Sequence, residues 1–535
     1  MDRRSFLGVA GGVGAAAVTG AGFHRWQEIT PTLHYPGRDE GHFLRDRKKL
    51  PPPSTVIDTD VVILGSGIAG LCAAWQLKKA GHSDALMIDG PQPFGNAAGG
   101  RFGELAYPTG GHYLPLPSAD MVHMREILFD LGIIERDPLA DKPYYDERVL
   151  LHSPEERLLY NGAWQEGVIP SVGLTPQDQA EHLRFFAETE RLRQLRGAGG
   201  GHVFAFPSVR SARHPAIDAL DRLTMRQWLE QNRFSSSTLH WYVNYCCRDD
   251  YGTAYDKVSA WAGLHYFCSR RGQAANADGG TWLTWPGGMQ ALAEKLGTAS
   301  GIARRPGTAV SLRRTGTGVE TLCFTLAGGV AQTFVVRARK AICAMPLYVA
   351  ARVVENIGAL GFDPKLHMPI YVPWLVANFL MKAFPAELPA APLSWDNVVY
   401  QEPGLGYVVS THQDIRAAPP AKTVFSAYVA LSDRSPDQAR KWMQAASAQE
   451  LVALASADLK AAYGVNFAPC VERVDITLRG HAMAAPLPGF RDNAGLKALR
   501  EADGPIVFAH GDLSGFSVFE EASWWGCEAA RRVLA

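Results

Sequence analysis

Residues Asp60 to Gly70 read DVVILGSGIAG, and no other stretch narrows the fold as much. Val61, Val62, Ile63 and Leu64 are consecutive apolar residues, as in a strand buried on both faces of a parallel sheet. Gly65, Gly67 and Gly70 follow in GxGxxG spacing. The first glycine permits a tight turn, the second lets backbone approach a pyrophosphate, and the third lets helix and strand pack closely. LCAAWQLKKAGH then reads as the helix, with the first-turn amides around Ser66, Ile68 and Ala69 aimed at phosphate oxygens. DALMIDG supplies a second strand ending in Asp89, whose carboxylate can accept the hydroxyl protons of an adenosine ribose. The expectation is a dinucleotide-binding βαβ unit.

At 535 residues the chain exceeds what one core supports, so at least two domains are expected. Basic and acidic residues both number 53, which argues against a nucleic-acid partner, where a basic excess is usual. The eight cysteines show no CxxC and no Cys/His cluster at zinc spacing, so neither a disulfide scaffold nor a metal site is expected. The vicinal Cys246–Cys247 reads as two small buried residues on a helix.

Two further glycine turns favour FAD over a nicotinamide. Gly99, Gly100 and Arg101 come soon after Asp89, and an arginine there can pair with a pyrophosphate. Near the C-terminus, Ile506 to Ala509 read as a strand, followed by Gly511–Asp512 and a helix to the end of the chain. With AHGD…FEEASWWGCEAA, LDRLTMRQWLEQNRF, WPGGMQALAEKL, GTAVSLRR and KAICAMPLYVA between the turns, the chain resembles the flavin-containing amine oxidase superfamily from about residue 55 to its end. That group includes monoamine and polyamine oxidases, protoporphyrinogen oxidase and phytoene-desaturase-like enzymes.

The resemblance implies an α/β, two-domain FAD-binding Rossmann-like fold with a discontinuous FAD domain (55–120, 285–350, 470–535) and an α+β substrate domain (121–284, 351–469). It places Val310 over the adenine, Gly511, Asp512 and Phe519 at the cofactor, and His112 and Tyr113 beside the flavin as catalytic candidates. Two departures bear on chemistry. The lysine many amine oxidases carry in a substrate-domain strand is replaced here by Ala377 or Asn378, so Asn378 becomes the candidate. The aromatic cage position before Glu520 is Val518, and with no cysteine before it FAD should be non-covalent. Trp282, Trp285, Trp524 and Trp525 are candidates to rebuild an aromatic wall, or are interdomain core. Asp249–Asp250 reads as an anionic patch for a cationic amine, or as a solvated helix end.

MDRRSFLGVAGGVGAAAVTGAG at the start resembles a twin-arginine export signal. It implies the twin-arginine translocation machinery as partner and a periplasmic location. No clear cleavage site follows, which leaves an uncleaved inner-membrane anchor open. Residues 24–54 read as a Pro-rich, charged lead-in outside any packed core. Three functions stay open at this level. The first is oxidation of a small amine, with oxygen or a quinone taking the electrons. The second is desaturation or oxidation of an apolar ring or isoprenoid. The third is a non-catalytic flavin-binding subunit.

Overall fold

The computed structural model describes residues 29–46, 50–328, 330–388 and 390–535, so the arginine-pair segment lies outside the described residues. The dinucleotide unit forms as its sequence dictates. Strand β1 (Val56–Leu64) enters the glycine turn, helix α1 (Ile68–Lys79) leaves it, and β2 (Ala85–Ile88) returns parallel to β1. Gly65 has φ +111, and a Cβ there would lie 2.8 Å from the Ala344 carbonyl oxygen, so only glycine fits. Strand β3 (Val330–Cys343) runs parallel along the other side of β1 and carries Ile506–Phe508 on its far edge. The antiparallel strands Val319–Ala327 and Thr308–Arg314, and the short edge strand Ala303–Arg305, complete a seven-stranded sheet. Helix α2 (Phe519–Leu534) packs on α1 through Gly526, where a Cβ would stand 2.2 Å from the Ala69 carbonyl oxygen. The C-terminal helix is thereby held against the nucleotide turn.

A second, eight-stranded sheet carries the other half of the molecule. Its centre is β4 (Ile370–Met381), flanked by β5 (Val471–Ala485) and Thr423–Ala430, all antiparallel. Beyond these lie Tyr407–Val409, Asp396–Val399, Glu156–Tyr160 and Ala163–Glu166. Strand β4 is buried along nearly its whole length because both faces are covered. Leu375, Ala377 and Phe379 meet a helical layer, whereas Trp374 and Val376 face the nucleotide-binding half.

Two expected boundaries shift. β5 belongs to the substrate sheet, so the last segment of the nucleotide domain begins after it and not at 470. The lead-in is partly core: Thr32–His34 adds a parallel edge strand to β5, and Leu33 and Tyr35 pack on the substrate-domain core. The helix Arg38–Arg45 that follows reaches the large cavity described below.

Arg157, fully buried, clamps the far end of this sheet. Its guanidinium donates to the Asn397 side chain (2.5 Å), the Ala391 carbonyl (3.1 Å) and the Tyr463 hydroxyl (3.2 Å), pairs with Glu387 (2.8 Å) and stacks on Trp164. Arg157→Ala leaves these groups unsatisfied and should lower stability by about 3 kcal/mol, read as a shifted urea midpoint. An unchanged midpoint would contradict the clamp. The neighbouring Glu156 faces the opposite side of the strand, into the candidate site, and its position depends on this anchor.

Candidate functional site

A cavity of about 1390 Å³ runs from the glycine turn of the first domain to the inner face of the second sheet. Gly65, Ser66, Gly67, Ile68 and Ala69 line one end. A Cβ on Gly67 would meet nothing within 4 Å, so the space above this glycine is free for a ligand. Gly70 does not face the cavity; it packs on the Gly65 carbonyl, the close helix–strand contact its position requires. Asp89 lines the cavity at the end of β2, its Oδ1 accepting from Arg304 at 2.8 Å.

At the C-terminal turn, Gly511, Asp512 and Phe519 line the cavity. The Asp512 carboxylate, however, is occupied by protein. It accepts from the Leu347 amide (3.0 Å), the Ser517 hydroxyl (3.1 Å) and the Tyr371 hydroxyl. Burial works to raise its pKa, but His510 and these donors hold it below the ordinary value. Val310 bulges out of its strand ladder, and its neighbours Thr308 and Ala309 form the cavity wall.

Two expectations fail for physical reasons. Gly99, Gly100 and Arg101 form a hairpin strand with Leu105–Pro108, away from the cavity. Gly99 sits under the Tyr107 and Gly287 carbonyls, Gly100 lies against the Tyr107 ring, and Arg101 is exposed. These glycines serve packing, and the residues lining the cavity are Gly95, Asn96 and Ala97. Asn378 likewise falls outside. It is fully buried in β4, and its Oδ1 accepts from the Ser426 hydroxyl on the next strand at 2.7 Å. The β4 residues that line the cavity are Trp374 and Val376.

His112 and Tyr113 stand where this cavity meets a smaller one of about 40 Å³, and line both. Three carboxylates converge on the smaller cavity. Asp249 comes from the last turn of the helix Ser237–Tyr251, one turn beyond Tyr245 on the same face. Asp396 and Glu156 come from neighbouring parallel strands, directly opposite each other in register. Tyr113, Trp282, Trp395, Tyr428, Tyr245 and Tyr266 supply aromatic walls. The Tyr113 hydroxyl donates to Asp249 at 3.1 Å. Of the four tryptophans expected at an aromatic wall only Trp282 contributes here; Trp285 is buried core, and Trp525 donates to the Ser514 hydroxyl.

Among the described residues, none of the three carboxylates forms an ion pair. The nearest arginine, Arg270, is committed to Asp250 (2.7 Å) and Glu520 (3.4 Å), which ties the substrate-domain helices to the start of α2. Burial, with the neighbouring acids, pushes Glu156 up to about 7 and Asp249 up to about 6, and raises Asp396 well above the carboxylate range. Burial lowers His112 to about 3, so its imidazole is neutral; it stacks near Tyr428, with ring centroids 4.4 Å apart. The chemistry this permits is recognition of a small cation with room for a proton to move. Of the acids, only Asp249 was visible in the sequence as a candidate. Glu156 and Asp396 each open a short strand beside a second polar residue, Arg157 or Asn397, and no spacing connects them.

Residues 63–130 match the family model of the NAD(P)-binding Rossmann-like domain. The L-glutamate oxidase precursor of Streptomyces viridosporus is 32% identical over 135 residues, a match that spans 21% of this chain and only 19% of that protein's length. Solved structures align over far more. Putrescine oxidase bound to putrescine superposes with a TM-score of 0.60 at 17% identity, covering 90% of this chain and 99% of that one. Cyclohexylamine oxidase from Brevibacterium oxydans IH-35A gives 0.58 at 17% identity, covering 89% and 98%. A CLA-producing fatty acid isomerase from P. acnes gives 0.57 at 16%, again covering 89% and 98%. The chain therefore has the two-domain Rossmann-like fold that these enzymes share.

Proposed function

We propose that this chain, built on the fold of those oxidases, is an FAD-dependent oxidoreductase of the flavin amine oxidase superfamily that acts on a small amine. The observation that carries the reading is the set Glu156, Asp249 and Asp396: three enclosed carboxylates ringed by aromatic side chains, with no cation of the described residues paired to them. Charges so placed are costly unless a cation or protons join them. A substrate ammonium answers that need, and the aromatic faces favour a cation further. A purely apolar ring would leave the carboxylates uncompensated, which counts against the isoprenoid reading.

The large cavity fits FAD. It offers a glycine turn with open space above Gly67, the Asp89 carboxylate at the end of β2, and a path to the second sheet. Among the described residues no cysteine lines it, which supports non-covalent binding. Bound FAD would supply the two-electron acceptor for a hydride leaving the carbon next to nitrogen. The protein's own part is to bind the ammonium, take its proton and exclude water. Glu156 and Asp249, raised toward neutrality by burial, are suited to accept that proton. Tyr113 orients Asp249, and neutral His112, too weak a base for this role, offers a wall and a hydrogen bond. Electrons would pass on to oxygen or a quinone. We also propose export through the twin-arginine route on the strength of the N-terminal sequence; none of the described helices is long and apolar enough to cross a membrane.

The test is an absorbance spectrum of the purified protein, then anaerobic addition of monoamines, diamines and an isoprenoid. Flavin absorbance that bleaches with an amine is the expected result. Folded protein that refuses FAD would end the cofactor assignment. Flavin-loaded protein silent to every amine would end the substrate assignment alone.

A further inference from the structure

Among the described residues, Arg270 and Arg440 line the large cavity and are ion-paired, Arg270 with Asp250 and Glu520 and Arg440 with Asp437. Arg38, Arg45, Arg352, Lys365 and Lys441 also line it but are exposed to solvent. Arg479 is half-buried and, among the described residues, has no ion pair. It projects from β5 of the substrate sheet into the cavity, opposite Trp374 in register. Among the described residues, no carboxylate oxygen lies within 4.0 Å of it. Its Nε donates to the Thr109 carbonyl at 3.0 Å, and its Nη1 to the side-chain oxygens of Gln92 (2.8 Å) and Asn96 (3.2 Å). Its Nη2 makes one long contact, 3.4 Å to the Thr109 hydroxyl, which leaves an Nη2 proton uncommitted.

The acceptors locate this arginine. Gln92 and Asn96 flank Gly95, whose absent Cβ would lie 3.6 Å from the Gly67 Cα. Arg479 therefore reaches the loop that leans on the nucleotide turn. That loop, DGPQPFGNAA from Asp89 to Ala98, has no basic residue of its own, and Arg101 just beyond it is exposed. A pyrophosphate over Gly67 would meet backbone amides and the positive end of α1, but among the described residues no lysine or arginine of its own domain lines the cavity.

We infer that Arg479 supplies the cationic half of the pyrophosphate site from the opposite domain, in place of the arginine the glycine loop lacks. The inference rests on the FAD reading above. It means that cofactor binding bridges the two sheets, drawing β5 onto the nucleotide turn. An anion is also the partner that a desolvated guanidinium lacks here.

The test uses apoprotein of the full chain, its Arg479→Gln and Arg479→Lys variants, and the double variant Gln92→Ala/Asn96→Ala. FAD affinity is read by quenching of flavin fluorescence, apoprotein stability by melting temperature, and the bound flavin by its reduction potential. Arg479→Gln should weaken FAD by about 10- to 100-fold and flatten the salt dependence of binding. Arg479→Lys should fall between it and the native protein, and the double variant should lose clearly less affinity than Arg479→Gln because the guanidinium remains. Apoprotein melting should move little in either Arg479 variant. If Arg479→Gln does not fold, Arg479→Lys and the double variant decide the matter alone. Native FAD affinity in the Arg479 variants would overturn the inference, as would a loss in the double variant equal to that in Arg479→Gln, which would reduce Arg479 to a tether. A shifted reduction potential with affinity kept would also overturn it, by placing the arginine at the flavin ring. Failure of the native protein itself to take up FAD would sink the FAD reading and this inference with it, whereas the variant results above overturn the inference alone.

Discussion

Gly70→Ala should yield a chain that neither folds stably nor takes up FAD. A Cβ at Gly70 would stand 1.9 Å from the Gly65 carbonyl oxygen and 3.0 Å from its carbon. Both are backbone atoms of the turn, so no side chain can swing aside. Gly65 in turn is held by the hydrogen bond its N–H donates to the Ile88 carbonyl at 2.9 Å and by the Ala344 carbonyl behind it. Relief would require α1 to lift off β1, taking with it the packing of α2 against α1. We expect a loss above about 4 kcal/mol, in the range reserved for severe core disruption. Gly67→Ala is the informative contrast. Gly67 has φ −68, which alanine adopts freely, and the new methyl group would meet no protein atom within 4 Å. Its apoprotein should melt within about 0.5 kcal/mol of native, a surface-like effect, while FAD affinity falls because the methyl occupies the ligand's space. Urea unfolding and flavin titration of the two variants side by side separate the architectural glycine from the binding one. Equal behaviour of the two would refute the assignment.

Asp396→Asn should lower kcat/KM for an amine substrate by about 100-fold, the scale for removing one member of a buried charge pair. Glu156→Gln and Asp249→Asn should follow in the same direction. The accompanying pH behaviour has a definite sign. Glu156 and Asp249 have pKa values of about 7 and about 6 in the folded chain, above their ordinary values, because burial disfavours the charge. Between the unfolded and folded values the native state binds more protons than the unfolded chain, so stability falls as pH rises. Apoprotein should therefore melt at a higher temperature near pH 5 than near pH 8, as far as these groups decide it, and the neutral variants should lose that slope. A cationic ligand needs the ionised carboxylates, so its stabilising effect should grow over the same rise in pH. A ligand-induced gain in melting temperature that is larger at pH 5 than at pH 8 would remove the carboxylates from substrate binding.

The residues around Gly65 show why half of this architecture was readable in advance. Strand, turn, helix and ribose acid fall within one short stretch, and each follows from a local rule: apolar runs make buried strands, and only glycine tolerates the turn. The hairpin at Gly99–Arg101 shows the limit of that reading. The same Gly-Gly-Arg letters that suit a pyrophosphate turn also suit a strand pressed under Tyr107 and Gly287, and only the neighbours distinguish the two. Asn378 fails for a related reason. It shares a face of β4 with Trp374 and Val376, but two residues further on the strand is covered and Ser426 takes its side chain.

By itself the sequence determined the nucleotide-binding half, because backbone sterics at a few glycines leave one local conformation open. Only the tertiary structure decided what faces the cofactor. Glu156, Asp249 and Asp396, and Arg479 opposite the glycine loop, come from distant segments whose side chains meet through sheet register and domain packing. Registers are set by long-range burial, where a shift of one residue turns a side chain to the other face.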